Sequence, residues 1–101
     1  MEHEEIQQIF EKFFEKYRKH ESDEDPNWSA YWTEFTEKGK FEVRMIKAPG
    51  RLTFSFFNDD RKLAEVEGWD TFFDASKSLE QDDSNGYDEA RFFAGMQEAV
   101  S

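Results

Sequence analysis

The chain predicts an α+β fold: an N-terminal helix, an antiparallel meander of three or four strands, the fourth resting on residues 61–67, then two C-terminal helices packed on one sheet face. Three observations carry this. Apolar residues recur at steps of three and four before residue 20 and again after residue 68; they alternate singly through residues 41–56; and Gly and Pro punctuate the alternating stretch.

Over residues 4–20, Ile6, Ile9, Phe10, Phe13, Phe14 and Tyr17 fall on one stripe, as in an amphipathic helix. The opposite face carries Glu11, Lys12, Glu15, Lys16 and Lys19. Glu15 and Lys19 form a favourable pair one turn apart, but Glu11 and Glu15, and Lys12 and Lys16, repel. The apolar stripe must therefore hold this helix. Acids begin it and bases end it, as the helix dipole prefers, and Asp25 and Pro26 are expected to stop it.

The stretch "SAYWTEFTEKGKFEVRMIKAPGRLTFSFF" reads as strands separated by "EKGK" and "APGR", where Gly39 and Pro49-Gly50 supply turn chemistry. Phe41, Val43 and Met45 alternate with Glu42 and Arg44, and Leu52, Phe54 and Phe56 with Thr53 and Ser55, so one sheet face is apolar. The segment "RKLAEVEG" fits a fourth strand or the first turns of a helix, and the strand reading is preferred. Trp69, Phe72, Phe73, Ser76 and Leu79 give a second helix over Trp69–Glu80. Tyr87, Ala90, Phe93, Met96 and Val100 give a third over residues 86–100, with "DDSNG" a loop and Ser84 or Asn85 the expected N-cap.

A length of 101 residues suits one domain. Twenty-four Asp and Glu against thirteen Lys and Arg leave a formal charge of −11, yet 18% of the chain is aromatic, including twelve Phe. Such a chain has the apolar surface that acidic disordered segments lack. The absence of Cys removes disulfides and thiolate chemistry. "MEHEEIQQIF" is acidic where a signal peptide is basic, and no apolar run is long enough to span a bilayer, so a cytoplasmic location is expected.

Charge is unevenly spread. Residues 1–28 hold nine acids and four bases, residues 29–58 three acids and five bases, and residues 59–101 twelve acids and four bases. The strands are slightly basic and the helical segments strongly acidic.

Chemistry-bearing motifs fail on inspection. Asp23, Asp25, Asn27 and Glu34 fall at ligand positions of a calcium loop, but Trp28 stands where the sharp turn requires Gly, and Pro26 stiffens the segment. A second candidate around "DDSNGYDEARFF" places Gln81 and Phe92 at its first and last ligand positions. His3 and His20 are too far apart along one helix to share a metal, so no cofactor or metal is expected. The acid pairs Asp59-Asp60, Glu65-Glu67 and Asp82-Asp83 lack an evident pocket to shift a pKa. No phosphate loop or nucleophile elbow is present, so an enzyme is not expected. Direct nucleic-acid binding is disfavoured by the net charge, although Tyr31, Trp32 and Phe35 could be displayed by the sheet.

The acid itself remains. Asp23, Glu24 and Asp25 after the first helix, Glu65, Glu67, Asp70 and Asp74 around the second, and Asp82, Asp83, Asp88 and Glu89 before the third would form one anionic surface if they share a side. Trp28, Trp69 and Tyr87 sit among them, and Trp and Tyr are favoured binding anchors. In size, acidity and lack of a catalytic motif the chain resembles the acidic inhibitors made by phages and mobile elements, including anti-restriction and anti-CRISPR proteins. That resemblance implies a non-enzymatic inhibitor occupying the nucleic-acid groove of a basic protein. An immunity protein against a toxin nuclease shares the same physics, and an adaptor domain whose acid only serves solubility is the third reading. Exposed Phe or Trp would also support a homodimer.

Overall fold

The computed structural model describes residues 2–20 and 27–101, with the side chain of His20 excepted. Helix α1 (His3–Tyr17) leads into the two-residue strand β1 (Lys19–His20). Strands β2 (Trp28–Thr36), β3 (Gly39–Ala48), β4 (Arg51–Asn58) and β5 (Arg61–Glu67) follow, then helices α2 (Trp69–Glu80) and α3 (Glu89–Val100), joined through a single 3-10 turn at Asp83–Asn85. The sheet is a fully antiparallel meander in chain order. The predicted elements appear in the predicted order, with residues 61–67 a strand; β1 and the 3-10 turn are additions that the sequence did not predict.

Register sorts the side chains. Ala30 lies beside Met45, Trp32 beside Val43 and Glu34 beside Phe41; on the other side of β3, Met45 lies beside Phe54 and Val43 beside Phe56. The buried Ala30, Phe41, Val43, Met45, Phe54 and Phe56 therefore share one face. All three helices pack there. Phe10 of α1 sits at the centre, its ring 5.3 Å from Phe72, 5.4 Å from Phe93 and 5.6 Å from Phe54, in edge-to-face contacts. Among the described residues no helix covers the other sheet face, which carries the exposed Tyr31 and Phe35, the half-buried Arg44 and Phe57, and Glu42 and Ser55 buried beneath their neighbours.

The turns explain several acids. Asp59 and Asp60 connect β4 to β5 with φ of +48° and +68°, as a two-residue hairpin of the primed kind requires. The Asp59 carboxylate also accepts the Lys40 N–H at 2.9 Å.

Two boundaries differ from the sequence reading. Helix α1 ends at Tyr17 rather than near residue 20, because Lys19 and His20 pair with Ser29 and Trp28. Asp25 and Pro26, expected to stop it, lie outside the described residues. Helix α3 begins at Glu89, and its N-cap is Asp88, whose Oδ1 accepts the Arg91 N–H at 3.1 Å; neither Ser84 nor Asn85 has that role. Asn85 is instead buried, donating to the Leu79 carbonyl and accepting the Tyr87 N–H. No helix among the described residues is long and apolar enough to cross a membrane.

Candidate protein-binding surface

Helix α2, the following turn and α3 present the acid. From residue 69 to residue 101 there are eight Asp and Glu against Lys77 and Arg91. Their apolar positions, among them Phe72, Phe73, Phe92, Phe93 and Met96, are buried against the sheet and α1, which turns Asp70, Asp74, Glu80, Asp82, Asp83, Asp88 and Glu98 out to solvent. Arg91 is not available to neutralise them, since its guanidinium meets Glu34 of β2 at 3.0 Å. Lys77 is left among the acids of α2.

A shallow groove of about 280 Å³ runs between the start of α1, α2 and the start of α3, lined by His3, Phe73, Asp74, Lys77, Glu80 and Glu89. His3 stacks on Phe73 with ring centroids 3.8 Å apart and an interplanar angle of 3°. Glu89 is half-buried here and its Oε2 accepts the Ser76 hydroxyl at 3.0 Å. Glu80 was not among the predicted binding residues. Its signal was legible, because it falls off the apolar stripe of α2.

The predicted acids do not all converge. Glu65 and Glu67 belong to the other face of the sheet, beside Ser55 and Thr53 in register. Glu65 Oε1 takes hydrogen bonds from Lys62 Nζ and Ser55 Oγ, both at 3.1 Å, and the Lys62 bond above all holds its carboxyl below the usual range. Glu67 lies 3.6 Å from Arg51. Two further pairs on that side join Lys40 to Asp60 at 3.4 Å and Arg44 to Glu42 at 3.0 Å. Four bases of the open sheet side are thus paired with carboxylates, whereas the exposed Asp70, Asp74, Glu80, Asp82, Asp83 and Asp88 form no ion pair among the described residues, with Arg61 near Asp82.

Two predicted anchors also separate from the acid. Tyr87 is 6% exposed, stacked on Phe41 at 4.7 Å, and belongs to the core. Trp28 sits at the far end of the sheet from α2, its ring 4.8 Å from the Arg18 guanidinium. Trp69 packs its ring on Phe54 and Phe10, at 4.8 Å and 5.7 Å. Asp23, Glu24 and Asp25 lie outside the described residues.

Within the acidic set, several carboxylates have local duties. Asp82 Oδ1 accepts the Ser84 N–H at 3.0 Å, and the Ser84 hydroxyl and N–H together hold its pKa below the usual range. Asp88 caps α3. Asp70, Asp74, Glu80 and Asp83 are exposed. Among the described residues, no group of three or more His, Cys, Asp or Glu is arranged to hold a metal ion. No protein-family model matches this chain, and comparisons with curated proteins and with solved structures found no match.

Proposed function

We propose that the protein is a non-enzymatic acidic binder that captures a basic nucleic-acid-handling protein by filling its nucleic-acid groove with the outer side of α2 and α3. The observation that supports this reading is the asymmetry of compensation. On the open sheet side, Lys40, Arg44, Arg51 and Lys62 are each matched to a carboxylate, while the exposed Asp70, Asp74, Glu80, Asp82, Asp83 and Asp88 form no ion pair among the described residues, although Arg61 lies near Asp82. Acid spread only for solubility would have no reason to collect on one layer. Uncompensated negative charge on a rigid helical layer attracts a cationic groove and competes with phosphates for it. The same physics serves an anti-restriction or anti-CRISPR inhibitor and an immunity protein against a basic nuclease.

The test is capture from a bacterial lysate on immobilised protein, with elution in salt steps, with and without added DNA. A basic nucleic-acid enzyme released by moderate salt and displaced by DNA is expected. Combined Asp70→Asn, Asp74→Asn, Glu80→Gln and Asp83→Asn substitutions should lose that partner while the far-ultraviolet spectrum stays unchanged. Retention by this variant, or indifference to DNA, would remove the assignment.

A further inference from the structure

One edge of the sheet is open. Strand β1 covers β2 at Ser29 and Trp28, and among the described residues no strand pairs with the outer edge of residues 31–36. The Lys40 carbonyl accepts the Asp59 N–H at 2.9 Å, so Lys40 directs its backbone toward β4. Phe35, its neighbour across β2 and β3, then directs its own N–H and C=O away from β3, and alternation makes Thr33 and Tyr31 do the same. Among the described residues these groups form a ladder that no strand pairs with. Folded proteins guard such edges with Pro, Lys, bulges or inward charges. Strand β2 has no Pro, no Lys and no break in its pairing with β3, and its sole charge, Glu34, is engaged by Arg91.

The side chains beside this ladder are the most exposed large apolar ones on the molecule's sheet: Phe35 is 82% exposed and Tyr31 44%. They flank Thr33 symmetrically. We propose that this edge pairs with the same edge of a second copy, antiparallel about a two-fold axis through Thr33. Thr33 then lies opposite Thr33, and Tyr31 of each copy lies opposite Phe35 of the other. Every outward-directed residue meets an outward-directed residue, giving about six inter-chain backbone hydrogen bonds. The two exposed aromatic pairs cover each other on the open face.

The ends fix the register. Lys19 and His20 of β1 stand beside Ser29 and Trp28 and block a longer overlap. The hairpin turn of the second copy, with its exposed Glu37 and Lys38, ends beside β1, so it adds no net attraction there. A slip by one residue would oppose outward-directed groups to inward-directed ones. A slip by two would drive one hairpin turn into β1 or separate Tyr31 from Phe35. An unrelated extended segment would satisfy the ladder, but it would not supply the ring for each ring that the edge supplies to itself through Tyr31 and Phe35.

Sedimentation equilibrium of the full chain tests this, with twice the 12.1 kDa of one chain expected. The two copies repel overall, so added salt should tighten the dimer, whereas it weakens capture of a basic partner; failure of one idea is thus distinct from failure of the other. Thr33→Pro removes an N–H that β3 does not use and should give a folded monomer. Phe35→Lys should weaken the dimer about tenfold through loss of both aromatic pairs, and it keeps the question answerable if the proline variant fails to fold. The chain has no Cys, so Thr33→Cys alone should form an inter-chain disulfide, Phe35→Cys alone should not, and Phe35→Cys mixed with Tyr31→Cys should. A monomer at every concentration, a dimer untouched by Thr33→Pro and Phe35→Lys, or cross-linking by Phe35→Cys alone would overturn the proposal. So would a monomer whose β2 edge takes up a segment of another protein.

Discussion

The Ser76 hydroxyl and the Tyr87 phenol lie 2.6 Å apart inside the protein, between α2 and the segment that enters α3. Ser76 has one proton and gives it to Glu89 Oε2, so Tyr87 is the donor to Ser76. The relay ends in a carboxylate at the acidic surface and begins in a ring stacked on Phe41. It ties the acidic layer to the sheet.

Tyr87→Phe should lower stability by about 1 kcal/mol at neutral pH, since it removes one neutral hydrogen bond and leaves Ser76 with Glu89. Burial pushes the Tyr87 phenol well above its ordinary value, with the nearby Glu89 adding to the shift. The folded pKa is therefore raised above the unfolded one. The stabilisation is whole below about pH 10, where the unfolded phenol titrates, and is lost as pH rises beyond it. Urea unfolding near pH 8 and near pH 11 should show a smaller alkaline loss in Tyr87→Phe than in wild type. Equal losses would mean that the phenol is not protected as its burial implies.

Asn85→Ala should cost more, about 2 to 3 kcal/mol, because Asn85 is 1% exposed and its amide serves both the Leu79 carbonyl and the Tyr87 N–H. Its backbone carbonyl also receives Asn58 Nδ2 at 3.0 Å, joining the 3-10 turn to β4. Chemical denaturation measures this directly. A cost near that of a surface substitution would show that water replaces these bonds.

The fold was legible where periodicity was strong. The stripe from Ile6 to Phe14, the alternation around Phe41 to Phe56 and the spacing from Trp69 to Leu79 each have a single best structure. What escaped depended on partners distant in sequence. Nothing local says that Lys19 and His20 leave a helix to pair with Ser29 and Trp28. Asn85 and Asp88 are equally good caps by type; tertiary packing buries the first and leaves the second at the helix start. The acidic layer was legible only in part, since residues 65 and 67 alternate out of phase with Ala64 and Val66 and so face away from the helices. Tyr87 reads as an anchor or a core ring from sequence alone. Phe41 on β3 settles which.

Gly39→Ala should destabilise the β2 to β3 turn by about 1 to 2 kcal/mol. Gly39 has φ of +112°, which L side chains avoid, and an added Cβ would press on the Asp59 carboxylate that holds the neighbouring Lys40 N–H. Adding Asp59→Ala should return less than the cost of Gly39→Ala, because it relieves the contact but not the backbone strain and also gives up the hydrogen bond. Full recovery in the double variant would place the whole penalty in the contact. Thermal melts of the two single variants and the double variant decide between them.

Asp83 and Asp88 separate structural acid from acid left free for a partner. Asp88→Ala should cost about 1 kcal/mol, because the Arg91 N–H loses its cap at the start of α3. Asp83→Ala should change stability by no more than about 0.5 kcal/mol, as an exposed residue does away from such features. If the helical layer binds a basic groove, both should weaken capture, and only the Asp88 variant should lower the urea midpoint as well. Charge reversal at Asp82, Asp83, Asp88 and Glu89 together would therefore confound binding with folding, since three of the four hold Ser84, Arg91 or Ser76. A stability loss in Asp83→Ala equal to that in Asp88→Ala would contradict this division.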